Sequence, residues 1–401
     1  MYIKRATVMK SKLAIMTALA FTSAGVQAVD PQAIKTESGF DITPLLSTGL
    51  KYDDNITSVS ANETDSWIMT VLPSLKASRD DGVTSLEFSA AAYHGNYFSS
   101  SSDNFTDTLL GGLFNTQLSE QGKLNVKADM VWGHEDRGTG ITEGLNNNLD
   151  DPTRFNNQTL SGYYEYGAVA APARVRFGAR YFNKEYMNQR EVTQFRDYDS
   201  TMGGINFYYD TLSGTTAVLE TSIVDIGYDF VDPEAPRDSK ETNVKAGAEW
   251  QISALTSGEF KLGYQKKEFD DSTRDDFSGV AWTVNANWAP LTYSNFNLGT
   301  GRKAKDPLQG GDYIKETTYT LSWYHNWSEA VQTQLAYNRL EEDYVGINRE
   351  DENDSYTASI KYAFRRFVDV SLFTTMTDKT SSVPGIEFDR NIVGVNFDFS
   401  L

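Results

Sequence analysis

From about residue 40 onward, apolar and polar side chains alternate along the chain with a period of two. The last segment shows this most simply, because Val393, Val395, Phe397, Phe399 and Leu401 are separated only by glycine or polar residues. Similar alternation recurs over residues 64–78, 123–133, 174–181, 243–252 and 356–365. Since successive side chains of a β-strand point to opposite faces, the pattern predicts an all-β fold.

The predicted strands are longer than those of ordinary soluble sheets. Counting the alternating segments gives about 18 strands of about 10–15 residues each, against a usual strand length of about 5–6. A tilted strand needs about 9–11 residues to cross a bilayer. The length therefore favours a transmembrane barrel.

The connections between predicted strands are alternately short and long. Short turns are predicted at 80–82, 120–122, 171–173, 212–214, 254–258, 290–292, 328–330 and 366–367. Long polar loops are predicted at 53–64, 98–104, 136–156, 184–196, 229–240, 269–276, 302–312, 342–354 and 378–387. Outer-membrane barrels have short periplasmic turns and long outer loops. The pattern thus predicts an antiparallel up-and-down barrel of about 18 strands, with both termini in the periplasm.

Aromatic residues are placed where such a barrel would meet the membrane interface. They close one strand or open the next beside the predicted short turns, at Trp250, Phe260, Trp288, Tyr293, Trp327, Phe364 and Phe399. Amphipathic rings favour the headgroup level of a bilayer. In a soluble sandwich the large rings would instead fill a dry core. One strand face suits lipid and the other suits water, and only a closed barrel then satisfies every strand edge.

The N-terminal residues resemble an export signal. Residues 1–28 have a basic start with Lys4 and Arg5, an apolar stretch from Leu13 to Phe21, and a small-residue site ending at Ala28. This order is typical of a cleaved signal peptide. We therefore expect a signal peptide over 1–28, a periplasmic lead-in over 29–39 and the barrel over 40–401.

Composition excludes several other classes of protein. The formal net charge is -19, so a nucleic-acid partner is not expected, because phosphate binding needs a basic surface. Mean hydropathy is -0.47 and no long apolar run follows residue 28, which argues against a helical membrane protein. The chain has no cysteine, so its fold does not depend on disulfides in an oxidising compartment.

The sequence offers no catalytic or cofactor signature. His94, His134 and His325 lie on different predicted strands, and no spacing pairs one of them with a nucleophile or with zinc ligands. No phosphate-binding glycine pattern opens a helix. Acidic runs at 270–276, 341–343 and 350–354 could gather Ca²⁺, but none has EF-hand spacing, and solvated loops are the expectation. We expect no enzyme activity, no cofactor and no dedicated metal site.

Basic residues form the clearest candidate site. They fall on the polar strand face, most of them near short turns, at Lys76, Lys123, Lys127, Arg174, Arg176, Arg180, Lys245, Lys261, Lys361 and Arg365. If that face lines the lumen, its charge would favour anionic or sugar-acid solutes. The alternative is that these cations form salt bridges within the lumen, for example with Asp129, Glu249 and Asp369.

The first two predicted strands also carry a family resemblance. Residues 44–56, PLLSTGLKYDDNI, and 65–75, DSWIMTVLPSL, resemble the opening of the putative β-barrel porin 2 family. The matching residues are Tyr52, Asp53, Asp54, Asn55, Asp65, Pro73 and Leu75. We expect Tyr52 at the outer interface, residues 53–55 turning into the first loop, and a bulge at Pro73, which lacks a ladder donor.

The resemblance implies an outer-membrane barrel of Gram-negative bacteria that serves exopolysaccharide or capsule export. Its partners would be outer-membrane lipid and lipopolysaccharide, with a polysaccharide substrate and periplasmic export components. The residues themselves fit a passive porin for small solutes nearly as well. A plugged structural or adhesive barrel, closed by the 136–156 loop and acting through its outer loops, is the third alternative.

Overall fold

The computed structural model describes residues 33–400 except 145–148, 150, 169–170, 212–213 and 254. The predicted signal peptide and the first part of the lead-in lie outside these residues. Within the described part of the chain, no helix is both long enough and apolar enough to span a bilayer.

Nearly all of the described chain is β-structure, in one antiparallel sheet that closes on itself. Strands β2 to β19 pair in sequence order, and β19 pairs with β2, so eighteen strands form a closed barrel. The strands are β1 (Ile34–Lys35), β2 (Asp41–Asp53), β3 (Ser66–Asp80), β4 (Thr84–Tyr97), β5 (Phe105–Gln117), β6 (Gly122–Glu135), β7 (Thr153–Tyr166), β8 (Ala173–Tyr186), β9 (Tyr198–Asp210), β10 (Thr215–Tyr228), β11 (Ser239–Ser253), β12 (Thr256–Phe269), β13 (Phe277–Leu291), β14 (Ser294–Lys305), β15 (Tyr313–Asn326), β16 (Val331–Val345), β17 (Arg349–Arg365), β18 (Val368–Ser381) and β19 (Phe388–Ser400). The two-residue β1 adds to the start of β2.

The predicted strand number and the order of turns and loops are confirmed. Eight short connections alternate with nine others, and most of the latter are longer. Helical turns occur only inside the longer connections of the described chain, at η1 (Ser101–Asp103), η2 (Gly140–Thr142), α1 (Arg190–Thr193) and η3 (Gln194–Arg196). We call the two ends of the barrel the short-turn end and the long-loop end.

Two local predictions are wrong. The 342–354 loop is mostly strand, because β16 continues to Val345 and β17 begins at Arg349. Polar and acidic residues occupy both faces of this hairpin, so alternation of hydrophobicity could not reveal it. The bulge at Pro73 is also absent: Val71 pairs with His94 and Ser74 with Ala91, which is one continuous register. Between β3 and β4, the two intervening residues Leu72 and Pro73 form no pair, but the register on either side of them is the same.

The apolar strand face points outward. Tyr52 pairs with Trp67 and Leu50 with Met69, and Leu50, Trp67 and Met69 are 38%, 48% and 46% exposed. Of the predicted interface rings near the short turns, Phe260, Trp288, Tyr293, Trp327 and Phe364 are exposed. A soluble protein rarely exposes so continuous an apolar surface. The outer face therefore suits lipid, and the polar face lines the lumen.

Candidate functional site: a loop-narrowed lumen

Small residues line the lumen halfway up one wall. Gly178 pairs with Tyr163 on one side and with Gly204 on the other, and Gly204 pairs with Ser222. A Cβ atom added at Gly178 would meet only a backbone oxygen 3.9 Å away, so the space in front of it is open. Eighteen strands at about 4.8 Å spacing and about 40° tilt enclose a backbone cylinder about 36 Å across. The wall therefore surrounds an open space and not a packed core.

Six of the ten basic residues predicted to line the lumen bind carboxylates there. The pairs are Lys76–Glu87 (2.9 Å), Lys127–Asp129 (2.5 Å), Arg174–Asp210 (3.2 Å), Arg176–Glu165 (2.7 Å), Lys261–Glu220 (2.7 Å), Lys261–Glu259 (2.8 Å), Lys261–Glu249 (3.1 Å) and Lys361–Asp369 (2.7 Å). All three acidic partners named from the sequence take part. For these six cations, salt bridging offsets much of the positive field.

Other lumen cations lack such a partner. Among the described residues, no carboxylate lies within 4 Å of Arg180, whose guanidinium stacks on the Phe182 ring with 5.2 Å to its centroid. Lys245 donates to the hydroxyl of Thr283 at 3.2 Å and likewise has no carboxylate partner within the described chain. These cations keep their charge available to solutes.

Arg365 lies elsewhere than expected. The register between β17 and β18 shifts between Ala363 and Arg365, so that Arg365 pairs with Val368. Val368 in turn pairs with Phe399 on the outer face. The one-residue shift moves Arg365 from the lumen side to the lipid side, because each step along a strand reverses the face.

Strand β8 carries a line of lumen cations. Arg174, Arg176, Arg180 and Lys184 all share the face of Gly178, and at about 3.3 Å per residue they span about 33 Å of strand. Arg176 also lies over the Tyr163 ring at 4.2 Å. We call these four residues the basic track. Lys184 extends the predicted set; the sequence predicts a loop over 184–196, whereas β8 continues to Tyr186.

The connection after β6 folds into the barrel mouth. Its first residue, Asp136, accepts a hydrogen bond from His134 at 3.2 Å and lies 3.6 Å from Arg390 of β19. Burial by itself would raise the pKa of Asp136, but the His134 hydrogen bond and the Arg390 charge hold that pKa well below its usual range. Lys51, which the sequence reasoning missed, adds a further positive charge nearby. We call residues 136–144 the inner loop.

The far end of the inner loop is bound to β17 and β18. Glu143 forms ion pairs with Arg349 and Lys379, both of which are almost fully buried. Asp351 joins them, accepting from Arg349 Nε at 3.0 Å and lying 3.4 Å from Lys379. Two cations and two carboxylates therefore form a neutral buried cluster. No sequence pattern indicated it, because Glu143 lies more than 200 positions from both cations.

The inner loop also reaches the opposite wall. Gln309, between β14 and β15, donates to the carbonyls of Ile141 at 2.9 Å and Glu143 at 2.7 Å. In an eighteen-strand ring, β15 stands nine strands away from β6, directly across the mouth. The inner loop therefore crosses the barrel and narrows it.

Neighbouring loops bind one another beside the inner loop. Arg274 donates to the carbonyls of Ala235 at 2.7 Å and Gly311 at 3.0 Å, joining three loops. Asp232 is bound by both Arg196 at 2.5 Å and Arg237 at 2.8 Å. Burial opposes ionisation of Asp232, but the Arg237 hydrogen bond, the backbone N–H of Glu234 and the charges of Arg237 and Arg196 together outweigh it and lower the pKa to about 2.

The histidines do not form a catalytic arrangement. His94 is exposed and bonds the Thr106 hydroxyl at 2.9 Å, while His325 lies among aromatic rings, 4.3 Å from that of Trp327. His134 lies between two carboxylates, with Asp107 at 2.8 Å. Over the described residues, no group of three or more histidine, aspartate or glutamate side chains is arranged to hold a metal ion.

Comparison with known proteins decides the family. The model of the family described as putative β-barrel porin 2 matches residues 30–400, nearly the whole chain. The chain belongs to the putative β-barrel porin 2 family. It is therefore a porin-like outer-membrane β-barrel, and porins are channels and not enzymes. No curated protein matches the chain.

Solved structures agree with this porin in fold alone. The Pseudomonas aeruginosa outer membrane protein OpdK is 9% identical with a TM-score of 0.50, covering 90% of this chain and 99% of its own. Pseudomonas aeruginosa OpdO is 12% identical with a TM-score of 0.49, covering 90% and 98%. Such low identities carry no inference about what this porin transports.

Three of the family-motif residues of this porin bind the first strand to the last. Buried Asp53 accepts from Arg390 of β19 at 2.5 Å, and Asp54 accepts from the backbone and side chain of Asn391 at 2.6 and 2.9 Å. Asn55 donates to the carbonyls of Val59 at 2.7 Å and Asp389 at 2.8 Å. β2 ends at Asp53 and the first loop follows it, and residues 53–55 bind the last strand to the first.

Proposed function

We propose that this porin is a passive outer-membrane channel for small anionic solutes. Its long-loop end faces outward and both termini face the periplasm, which is the usual arrangement of barrels with short and long connections. Lipid and lipopolysaccharide surround its apolar outer face. An N-terminal signal peptide ending near Ala28 would direct its export.

The observation that carries this proposal is the basic track below a narrowed mouth. Within the track, Arg174 and Arg176 share Glu165, and Arg174 also binds Asp210, whereas Arg180 has no carboxylate within reach in the described chain. Lys184 binds Glu135 at 2.9 Å, so four cations face three carboxylates along this wall. Net charge on a lumen wall raises the local concentration of oppositely charged solutes.

The inner loop favours small solutes over a polymer. It is held at Asp136, at Glu143 and by Gln309, so it obstructs the mouth from one wall to the opposite one. Export of exopolysaccharide or capsule, which the family resemblance implied, would require this loop to leave the mouth. A plugged adhesive barrel would require the loop to block ions as well.

Ion selectivity in planar bilayers tests the proposal. We expect the wild type to prefer anions, and the triple variant Arg174→Gln, Arg176→Gln, Arg180→Gln to lose that preference. Removing three positive charges also leaves Glu165 without its partners, so the reversal potential should shift towards cation selectivity. Unchanged selectivity would contradict the role of the basic track.

A matched control removes three lumen charges elsewhere. Lys76→Gln, Lys127→Gln and Lys361→Gln carry the same charge loss on other strands, and each of these lysines binds a carboxylate. The track variant differs in that it also removes Arg180, which has no carboxylate within 4 Å in the described chain. If this control shifts selectivity as much as the track variant, net lumen charge and not the track sets selectivity. Absence of any conductance in the wild type would instead favour the plugged barrel.

A further inference from the structure

A groove of about 530 Å³ lies on the outer face at the short-turn end of β17, β18 and β19. Four phenylalanine rings line it, those of Phe364, Phe367, Phe397 and Phe399. Of the described residues that line the groove, Arg365 alone is charged. Its volume lies within the range of small-molecule sites, about 300–1,000 Å³.

The register shift in β17 is what places the charge there. Without it, Arg365 would follow Lys361 and Ala363 onto the lumen face. With it, the guanidinium lies 5.5 Å from the centroid of the Phe364 ring. Bulges commonly re-aim one side chain in this way. Within the described chain, no carboxylate lies within 4 Å of Arg365, so its charge has no internal partner.

We propose that this groove binds one glycerophospholipid of the leaflet around the short-turn end, its acyl chains against the rings and its phosphodiester on Arg365. A planar guanidinium matches two phosphate oxygens, and the apolar walls match hydrocarbon. Arg366, in the adjacent turn, adds a second positive charge at the same level. The inference rests on the membrane location proposed above and not on ion transport.

Lipid retention by the purified barrel tests the site without variants. Native mass spectrometry would compare phosphatidylglycerol with a diacylglycerol of the same chains and with inorganic phosphate. We expect phosphatidylglycerol to be retained at least about tenfold better than diacylglycerol, because diacylglycerol lacks the phosphate that forms a charged hydrogen bond with Arg365. Equal retention of the two lipids would overturn the role of Arg365. Competition by millimolar inorganic phosphate would show a free-phosphate site and overturn the lipid assignment.

Two arginine variants then locate the site. Arg365→Gln should lower phosphatidylglycerol retention about tenfold, the loss expected for a charged hydrogen bond. The matched control is Arg302→Gln, since Arg302 also stacks on an outward ring, that of Trp282 at 5.6 Å, but towards the long-loop end. Equal loss in both variants, or none in Arg365→Gln, would overturn the proposal.

If Arg365→Gln fails to fold, the wild-type comparison of lipids decides alone. Loss of anion selectivity in track variants would leave lipid retention intact, so the two proposals fail separately.

Discussion

The ion pairs of Glu143 hold the inner loop across the mouth, and Glu143→Gln should release it. The substitution keeps the size of the side chain but removes one of two carboxylates facing Arg349 and Lys379. Breaking a buried ion pair on one side costs about 3–5 kcal/mol. Asp351 still binds both cations and Gln309 still holds two loop carbonyls, so we expect a cost below this range, about 2 kcal/mol.

A loss of about 2 kcal/mol raises the ratio of released to bound loop about 30-fold, since 1.4 kcal/mol corresponds to a factor of ten. Single-channel recording in planar bilayers would detect this as more frequent excursions to a higher conductance. The β17–β18 ladder does not depend on Glu143, so the temperature at which heating shifts the gel mobility of the barrel should not change.

The control for this prediction is a double-mutant cycle. Arg349→Gln alone should also increase the excursions, and the double variant should show less than the sum, because both changes remove the same contact. Identical conductance and current noise in Glu143→Gln and the wild type would refute the reasoning. So would strict additivity in the cycle, because it would mean that the pair does not hold the loop.

Three further outcomes follow from the contacts. Asp53→Asn breaks the buried ion pair with Arg390 where β19 meets β2, at a cost of about 3 kcal/mol. It should lower the temperature at which heating shifts the gel mobility more than Ser47→Ala does, because that variant removes only the hydrogen bond to Asp398, worth about 1 kcal/mol. An equal shift in the two variants would contradict this. The pKa of Asp232 is lowered to about 2, so the ionised carboxylate stabilises the loop contacts fully above about pH 3.8 and loses this effect as the pH falls through about 2. Conductance should therefore not change between pH 7 and pH 4. A change of conductance within that range would implicate another group. Gly138→Ala should increase conductance noise, because Gly138 has a φ of +75° and an added Cβ would overlap the backbone of the first loop at Thr57. The pairing of β19 with β2 should stay intact. Single-channel recording checks this, and an unchanged current trace would contradict it.

Alternation of side chains was enough to predict the barrel, its strand number and the order of turns and loops. A closed barrel between lipid and water imposes a period of two on every strand, so the sequence carries the pattern wherever the apolar band extends. Prediction failed where that constraint ends. The hairpin of β16 and β17 extends beyond the band, and the acidic residues on both of its faces predict a loop where the structure has strands.

The sequence also placed most of the basic residues on the correct face, but it could not show which of them are neutralised. Lys127 and Asp129 are two positions apart, and their contact follows from strand geometry alone. Arg180 has no carboxylate partner in the described chain because the strand register places Ser161 and Met202 beside it, and neither carries a charge. A one-residue register shift moved Arg365 to the lipid face, and no local signal marked that position.

What only the tertiary structure decided is the shape of the mouth. Glu143 meets Lys379 across 236 positions of sequence, and Gln309 meets Ile141 across 168. Such contacts depend on where the closed ring brings its loops, and no period or motif encodes that distance. The sequence by itself determined a barrel between lipid and water, because each residue's face is a local property. The ring closure decided that its opening is crossed by a loop.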